Sequence, residues 1–208
     1  MQIYPLVLSH LKAFEKEFGQ IPEDRKTRLG ELALFVEQKF KAGEKTELTF
    51  ICTHNSRRSL ISQIWAQTAA AYFAIPDLVS YSGGTEATAF NDRAIKALEG
   101  FGFRIFKTTK GANPIYEVRY AEQASPIKAF SKVHSDDGNP SKNFCAIMTC
   151  AHADKNCPLV PGASSRMVIA YEDPKDFDGT PEETMMYKER VHEIGREIIC
   201  AFSLVKLD

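Results

Sequence analysis

The stretch LTFICTHNSRRSLISQIWAQTAAAYF, residues 48–73, decides the fold. Residues 48–52 are a short apolar run of strand type, and residues 59 to about 73 read as a helix. Between them lies Cys52-Thr53-His54-Asn55-Ser56-Arg57-Arg58-Ser59, with five residues separating Cys52 from Arg58. The N–H groups of a strand-to-helix turn converge on one point, and the helix start adds positive partial charge there. Arg58 supplies a planar fork that matches a tetrahedral oxyanion. The same charges favour a thiolate at the base of the cradle, so Cys52 is a nucleophile aimed at a bound phosphate-like group. Thr53, His54, Asn55, Ser56, Arg57, Arg58 and Ser59 are the candidate oxyanion-binding residues.

Downstream, residues 79–82 form a second strand candidate closed by Gly83-Gly84. Residues 91–98 read as a helix ending at Gly100, and 103–106 as a third strand. Strand, helix, strand, helix, strand predicts a parallel sheet with crossover helices. Residues 115–120 and 127–133 look like strands of a hairpin, and 135–143 is a loop by composition. Residues 144–148 are a buried strand and 167–170 a short one. Thr180-Pro181-Glu182-Glu183 has the pattern of a helix start with Thr180 as cap, and the helix runs to about Val205.

Upstream, Val7, Leu11, Phe14 and Phe18 recur at helical spacing, as do Leu29, Ala33, Val36 and Phe40. Gly19 and Pro22 punctuate between them. The expectation is a helical hairpin whose apolar face serves as structural cover. The architecture is therefore α/β: a three-layer sandwich with a mostly parallel sheet of four strands. A helical extension spans 1–45, and a catalytic domain with a β insertion spans 46–208.

Composition narrows the function classes. Lys and Arg number 26 against 27 for Asp and Glu, a net charge of -1. Nothing in that balance calls for nucleic acid or an acidic membrane. Hydrophobic residues at 44% and charged residues at 25% make an ordinary globular mixture. No apolar run approaches the roughly 18 residues that a membrane helix needs. The first residues place charges straight after a short apolar stretch without a basic lead, which does not fit a signal peptide. The expected compartment is the cytoplasm, where the five cysteines stay reduced and a disulfide is catalytic rather than structural.

Two further features carry chemistry. Cys150-Ala-His-Ala-Asp-Lys-Asn-Cys157-Pro158 places two cysteines seven apart, just after a strand. His152 or His134 would have to complete a zinc site, but no second Cys/His pair matches such a pattern. No metal or cofactor is expected, and the segment reads as a loop carrying a redox pair. Asp173-Pro174 has two readings: a common turn, or a general acid that protonates a leaving oxygen. Cys145 and Cys200 sit among apolar neighbours and read as core residues.

Together these residues resemble the low-molecular-weight protein tyrosine phosphatase superfamily, and within it the thioredoxin-coupled arsenate reductases. Cys52, Arg58 and Ser59 fall on that family's phosphate loop, Asn55 on its usual Asn, and Asp173-Pro174 on its acid. Cys150 and Cys157-Pro158 fall on the two relay thiols of the reductase branch, and Ser82-Gly83-Gly84 resembles its Ser-Ala-Gly. The resemblance implies that Cys52 attacks arsenate, Cys150 resolves the adduct, and Cys157 takes over the disulfide for thioredoxin. Disulfide formation needs Cα atoms within about 7 Å. Seven residues of helix span about 10 Å. The relay segment is thus predicted to be looped or marginally helical, and to fold back.

The chain departs from the family at several points. His54 replaces the usual Gly, Arg57 stands where reductases often have a further Cys, and residues 107–143 are longer than usual. Gln63 occupies the acidic position of the reductases' potassium site, so that ion is not expected here. Lys175-Asp176 replaces the aromatic residues that let the tyrosine phosphatases grip an aryl phosphate. The leading expectation is reduction of arsenate. The alternatives are a phosphomonoesterase that leaves Cys150 and Cys157 idle, and a non-catalytic oxyanion or redox-sensing module.

Overall fold

In the computed structural model, which describes residues 2–207, β1 (Thr46–Cys52) forms the middle of the main sheet. It is flanked by β2 (Leu78–Gly84) and β6 (Phe144–Met148), and β7 (Ala163–Val168) closes the far edge. All three pairings are parallel, in the order β2-β1-β6-β7. Every residue of β6 is buried, and all but one of β1. A parallel sheet needs cover on both faces, which explains why these strands read as continuous apolar runs.

The cover is unequal. Leu48, Phe50, Cys145 and Ile147 point into the larger core, which also holds residues of α1 (Pro5–Lys16), α2 (Glu23–Lys41), α3 (Arg58–Tyr72), α4 (Asp92–Gly100) and α6 (Glu183–Ser203). Ile51, Phe144, Ala146 and Met148 point the other way, into a small cluster covered by α5 (Ala151–Asn156), which Cys52 joins at the very end of β1. This alternation is the pleat at work.

The predicted third parallel strand is elsewhere. β3 (Arg104–Lys107) pairs antiparallel with β4 (Tyr116–Arg119), and β4 with β5 (Ile127–Ala129), in a separate sheet. The physical reason is exposure: only Ile105 of β3 is even half-buried, so the strand cannot serve inside a doubly covered sheet. The run predicted at 127–133 stops at Ala129, and Val133 makes one isolated bridge to Gly84. Helix α6 begins later than its Thr180 pattern suggested. Thr180 donates its hydroxyl to the Phe177 carbonyl, while the Glu183 carboxylate accepts from the Gly179 amide.

The two N-terminal helices pack on α6. Fully buried Phe14 meets the Trp65 ring edge-on at 5.3 Å and the His192 ring at 4.9 Å. The N-terminal segment also joins the insertion: Ile3 bridges Ala121, and Arg104 stacks on Tyr4 at 4.1 Å. Among the described residues, no helix is long and apolar enough to cross a membrane.

Candidate active site

The C-terminal ends of β1, β2, β6 and β7 face the same side, which is where open parallel sheets place ligands. Cys52 ends β1 and is buried. Its Sγ lies 3.1 Å from the Ser59 hydroxyl. Asn55 takes the left-handed conformation (φ 45°) that the tight turn demands, a region that Asn tolerates better than most residues. Its side chain donates to Ser59 Oγ at 2.8 Å and accepts from the Lys132 amide at 3.0 Å. Ser56 donates to the Ala89 carbonyl at 2.6 Å. The loop is thus braced from within and from the insertion. Among the described residues, no backbone N–H from Thr53 to Arg57 is spent on a backbone carbonyl. Helix α3 starts at Arg58, so its positive end abuts the same space.

Arg58 is positioned by two partners. One terminal nitrogen donates to the Tyr171 carbonyl at 2.9 Å, and the other pairs closely with Asp173. Its Nε is buried without a partner. A buried donor left unpaired is costly, and an oxyanion in the cradle would satisfy it. Asp173 also caps the short turn Pro174–Phe177 by accepting from the Lys175 amide at 3.1 Å. Turn residue and acid candidate are therefore the same side chain.

The side chains of Arg57 and His54 have partners of their own. Arg57 donates through Nε to the Tyr187 hydroxyl at 2.9 Å and lies 3.9 Å from Asp173 and 3.8 Å from Asp178. His54 is partly exposed, 3.8 Å from Glu86, and its carbonyl accepts from Ser131 at 2.8 Å. Each contributes its backbone to the loop. Tyr171, Tyr187, Ser131 and Lys132 had no signal in the sequence, because nothing local marks a residue that braces a loop far away in the chain.

Cys150 and Cys157 pack in the same small cluster as Cys52. Cys150 caps α5, its Sγ accepting from the Ala153 amide at 3.3 Å. The Thr53 hydroxyl is 3.5 Å from Cys150 Sγ and 3.1 Å from His152 Nδ1. Cys157 follows α5 and packs on the small cluster that holds both Cys52 and Cys150. All five cysteines are free thiols. Cys145 differs in kind: burial pushes its thiol up to about 12. Burial raises Cys200 as well.

Gln63 ties α3 to β2. Its Nε2 donates to the Ser80 carbonyl at 3.2 Å and its Oε1 accepts from Ser82 at 2.6 Å, so both ends of the amide are used. Lys132 lines the same adjoining cavity.

No protein-family model matches the chain. Among curated proteins it is 30% identical over 155 residues to the arsenate reductase of Bacillus licheniformis, an alignment spanning 74% of this chain and 93% of that protein. It is 28% identical over 156 residues to the arsenate reductase of Bacillus subtilis, spanning 74% and 94%. A solved arsenate reductase in the phosphate binding state shares the fold, with TM-score 0.50 and 15% sequence identity over 77% of this chain and 99% of that one. With one such relative matched over nearly its whole length, the chain belongs to the arsenate reductase family.

Proposed function

We propose that the chain reduces arsenate to arsenite through a three-thiol relay, with residues 46–208 as the catalytic unit and 1–45 as an extension. The observation that carries this reading is the small cluster that gathers Cys52, Cys150 and Cys157. A phosphatase needs only the first of these.

In this reading the Cys52 thiolate attacks arsenate held by Arg58 and the loop amides. An arsenate oxygen leaves as water with the proton from Asp173, giving a Cys52–arsenic bond. The Cys150 thiolate then attacks Cys52 sulfur. The two electrons of the sulfur–arsenic bond pass to arsenic, arsenite departs, and a Cys52–Cys150 disulfide remains. Cys157 attacks Cys150 and frees Cys52. The Cys150–Cys157 disulfide is then reduced by an external dithiol, for which thioredoxin is the candidate. Leu159 supports that step, since it is 84% exposed next to Pro158 and offers an apolar landing point for a protein reductant.

The test is a paired product assay: arsenite formed with thioredoxin present, against phosphate released from an aryl phosphate. Arsenite formation is expected, with a single turnover without reductant leaving Cys150–Cys157 linked. Cys157→Ser should stop after one turnover as a Cys52–Cys150 disulfide, read by non-reducing peptide mass spectrometry. Phosphate release without any arsenite would make the chain a phosphomonoesterase.

A further inference from the structure

Away from the cradle, a cavity of about 800 Å³ opens between α3, β2 and the segment around β5. Its lining includes Gln67, Tyr81, Ile127, Lys128, Phe130 and Lys132, and contains no Asp or Glu. Lys132 is 6% exposed. Its neighbour there is the Phe130 ring, with the ammonium 4.6 Å from the centroid. Among the described residues, Lys132 Nζ has no hydrogen bond or ion pair. Asp136 acts on it only at longer range, and the Asp136 carboxylate accepts from the Val133 amide at 2.9 Å. Burying an ammonium without a counter-charge is expensive, so lysines are almost never fully buried unless paired. Here burial pulls Lys132 down to about 8.

We infer that this cavity binds a small amphipathic carboxylate, with Lys132 as its counter-charge and the ring of Phe130 against its apolar body. The lining suits such a ligand: two lysines for the charged end, and aromatic and aliphatic side chains for the rest. The site lies next to the oxyanion loop in the chain of contacts, because the Lys132 amide holds Asn55. It is nevertheless separate from the loop chemistry and does not depend on which reaction the cradle performs.

The experiment is calorimetric titration of the full chain with phenylbutyrate. Saturable one-to-one binding is expected. Lys132→Met keeps the length and apolar stem and should weaken binding about 10- to 100-fold, the loss expected for a charge-assisted hydrogen bond. Lys132→Arg should restore most of it. The neutral amide of the same acid should bind as weakly to wild type as the acid does to Lys132→Met. Thermal unfolding followed by Trp65 fluorescence checks that each variant is folded. Arg58→Ala separates this cavity from the cradle and should leave the titration unchanged. Retained binding by folded Lys132→Met with loss in Arg58→Ala would put the carboxylate in the cradle and overturn the inference. So would the absence of saturable binding to wild type below about 10 mM.

Discussion

Gly84 shows how little room the cradle has. A Cβ there would lie 2.3 Å from the Glu86 carbonyl oxygen, 2.6 Å from that of Thr53 and 2.8 Å from the Asn55 nitrogen. All three are backbone atoms, so Gly84→Ala has to displace the loop after β1 itself. Phosphate affinity, measured by calorimetry, is expected to fall by about 100-fold with little change in circular dichroism, since small misplacements of a binding constellation cost that much. Wild-type affinity would mean that the loop is not the anion site. Gly83 obeys a similar constraint, with the His134 Cα 2.3 Å from the missing Cβ, and that accounts for Gly where the resembled family has Ala. Lys132 carries the second prediction at this scale. Its folded pKa of about 8 lies below the ordinary 10.5, so the unfolded chain binds more protons between those values. Its destabilising contribution is full below pH 8 and vanishes as pH rises through the window. Lys132→Met should therefore stabilise the fold at neutral pH by up to about 3 kcal/mol. Urea titrations should find that gain shrinking toward pH 10.5; a gain independent of pH would show that the lysine is not the cause.

Among the elements, α5 has the most specific duty. It is a helix of six residues with Cys150 at one end and Cys157 at the other. The two ends cannot form a disulfide while the helix stands, because a helix holds residues seven apart at about 10 Å. The helix is held at its far end by Arg166, which donates to the Cys157 carbonyl at 3.0 Å, to the Asp154 carbonyl at 2.9 Å and to the Asp154 carboxylate at 2.5 Å. Arg166→Ala should loosen it. Amide exchange across residues 151–157 is expected to quicken by roughly tenfold or more, in keeping with the loss of charge-assisted bonds. Mass spectrometry of peptic fragments reads this, and unchanged exchange would show that Arg166 is not the latch.

For the whole molecule, the question is whether the first two helices are separable. Phe14 is fully buried against Trp65 and His192, and α6 leaves room for it: a Cβ on Gly195 would meet the Phe14 ring at 2.7 Å. Phe14→Ala should cost about 3–5 kcal/mol, the usual range for emptying such a site. Urea unfolding followed by Trp65 fluorescence and by circular dichroism should give one coincident transition. Two separated transitions would make residues 1–45 an independently folding part.

The sequence by itself determined the strand–loop–helix around Cys52, the apolar strands on either side of it and the amphipathic N-terminal helices. Each depends on a local pattern: a continuous apolar run, a helical period, or a cysteine and arginine at fixed spacing. The segment between Cys150 and Cys157 reads as looped or marginally helical, whereas it forms a six-residue helix capped by the Cys150 sulfur, a tertiary feature that so short a stretch of sequence does not announce. Only the tertiary structure decided the partner of residues 103–106, since four residues say nothing about which sheet will accept them. The bracing of the loop by Ser131 and Lys132, and of Arg58 by the Tyr171 carbonyl, was equally invisible. These contacts join residues 77 and 113 apart in the chain. Long-range contacts of that kind are set by how sheets and insertions pack, and no local propensity encodes them.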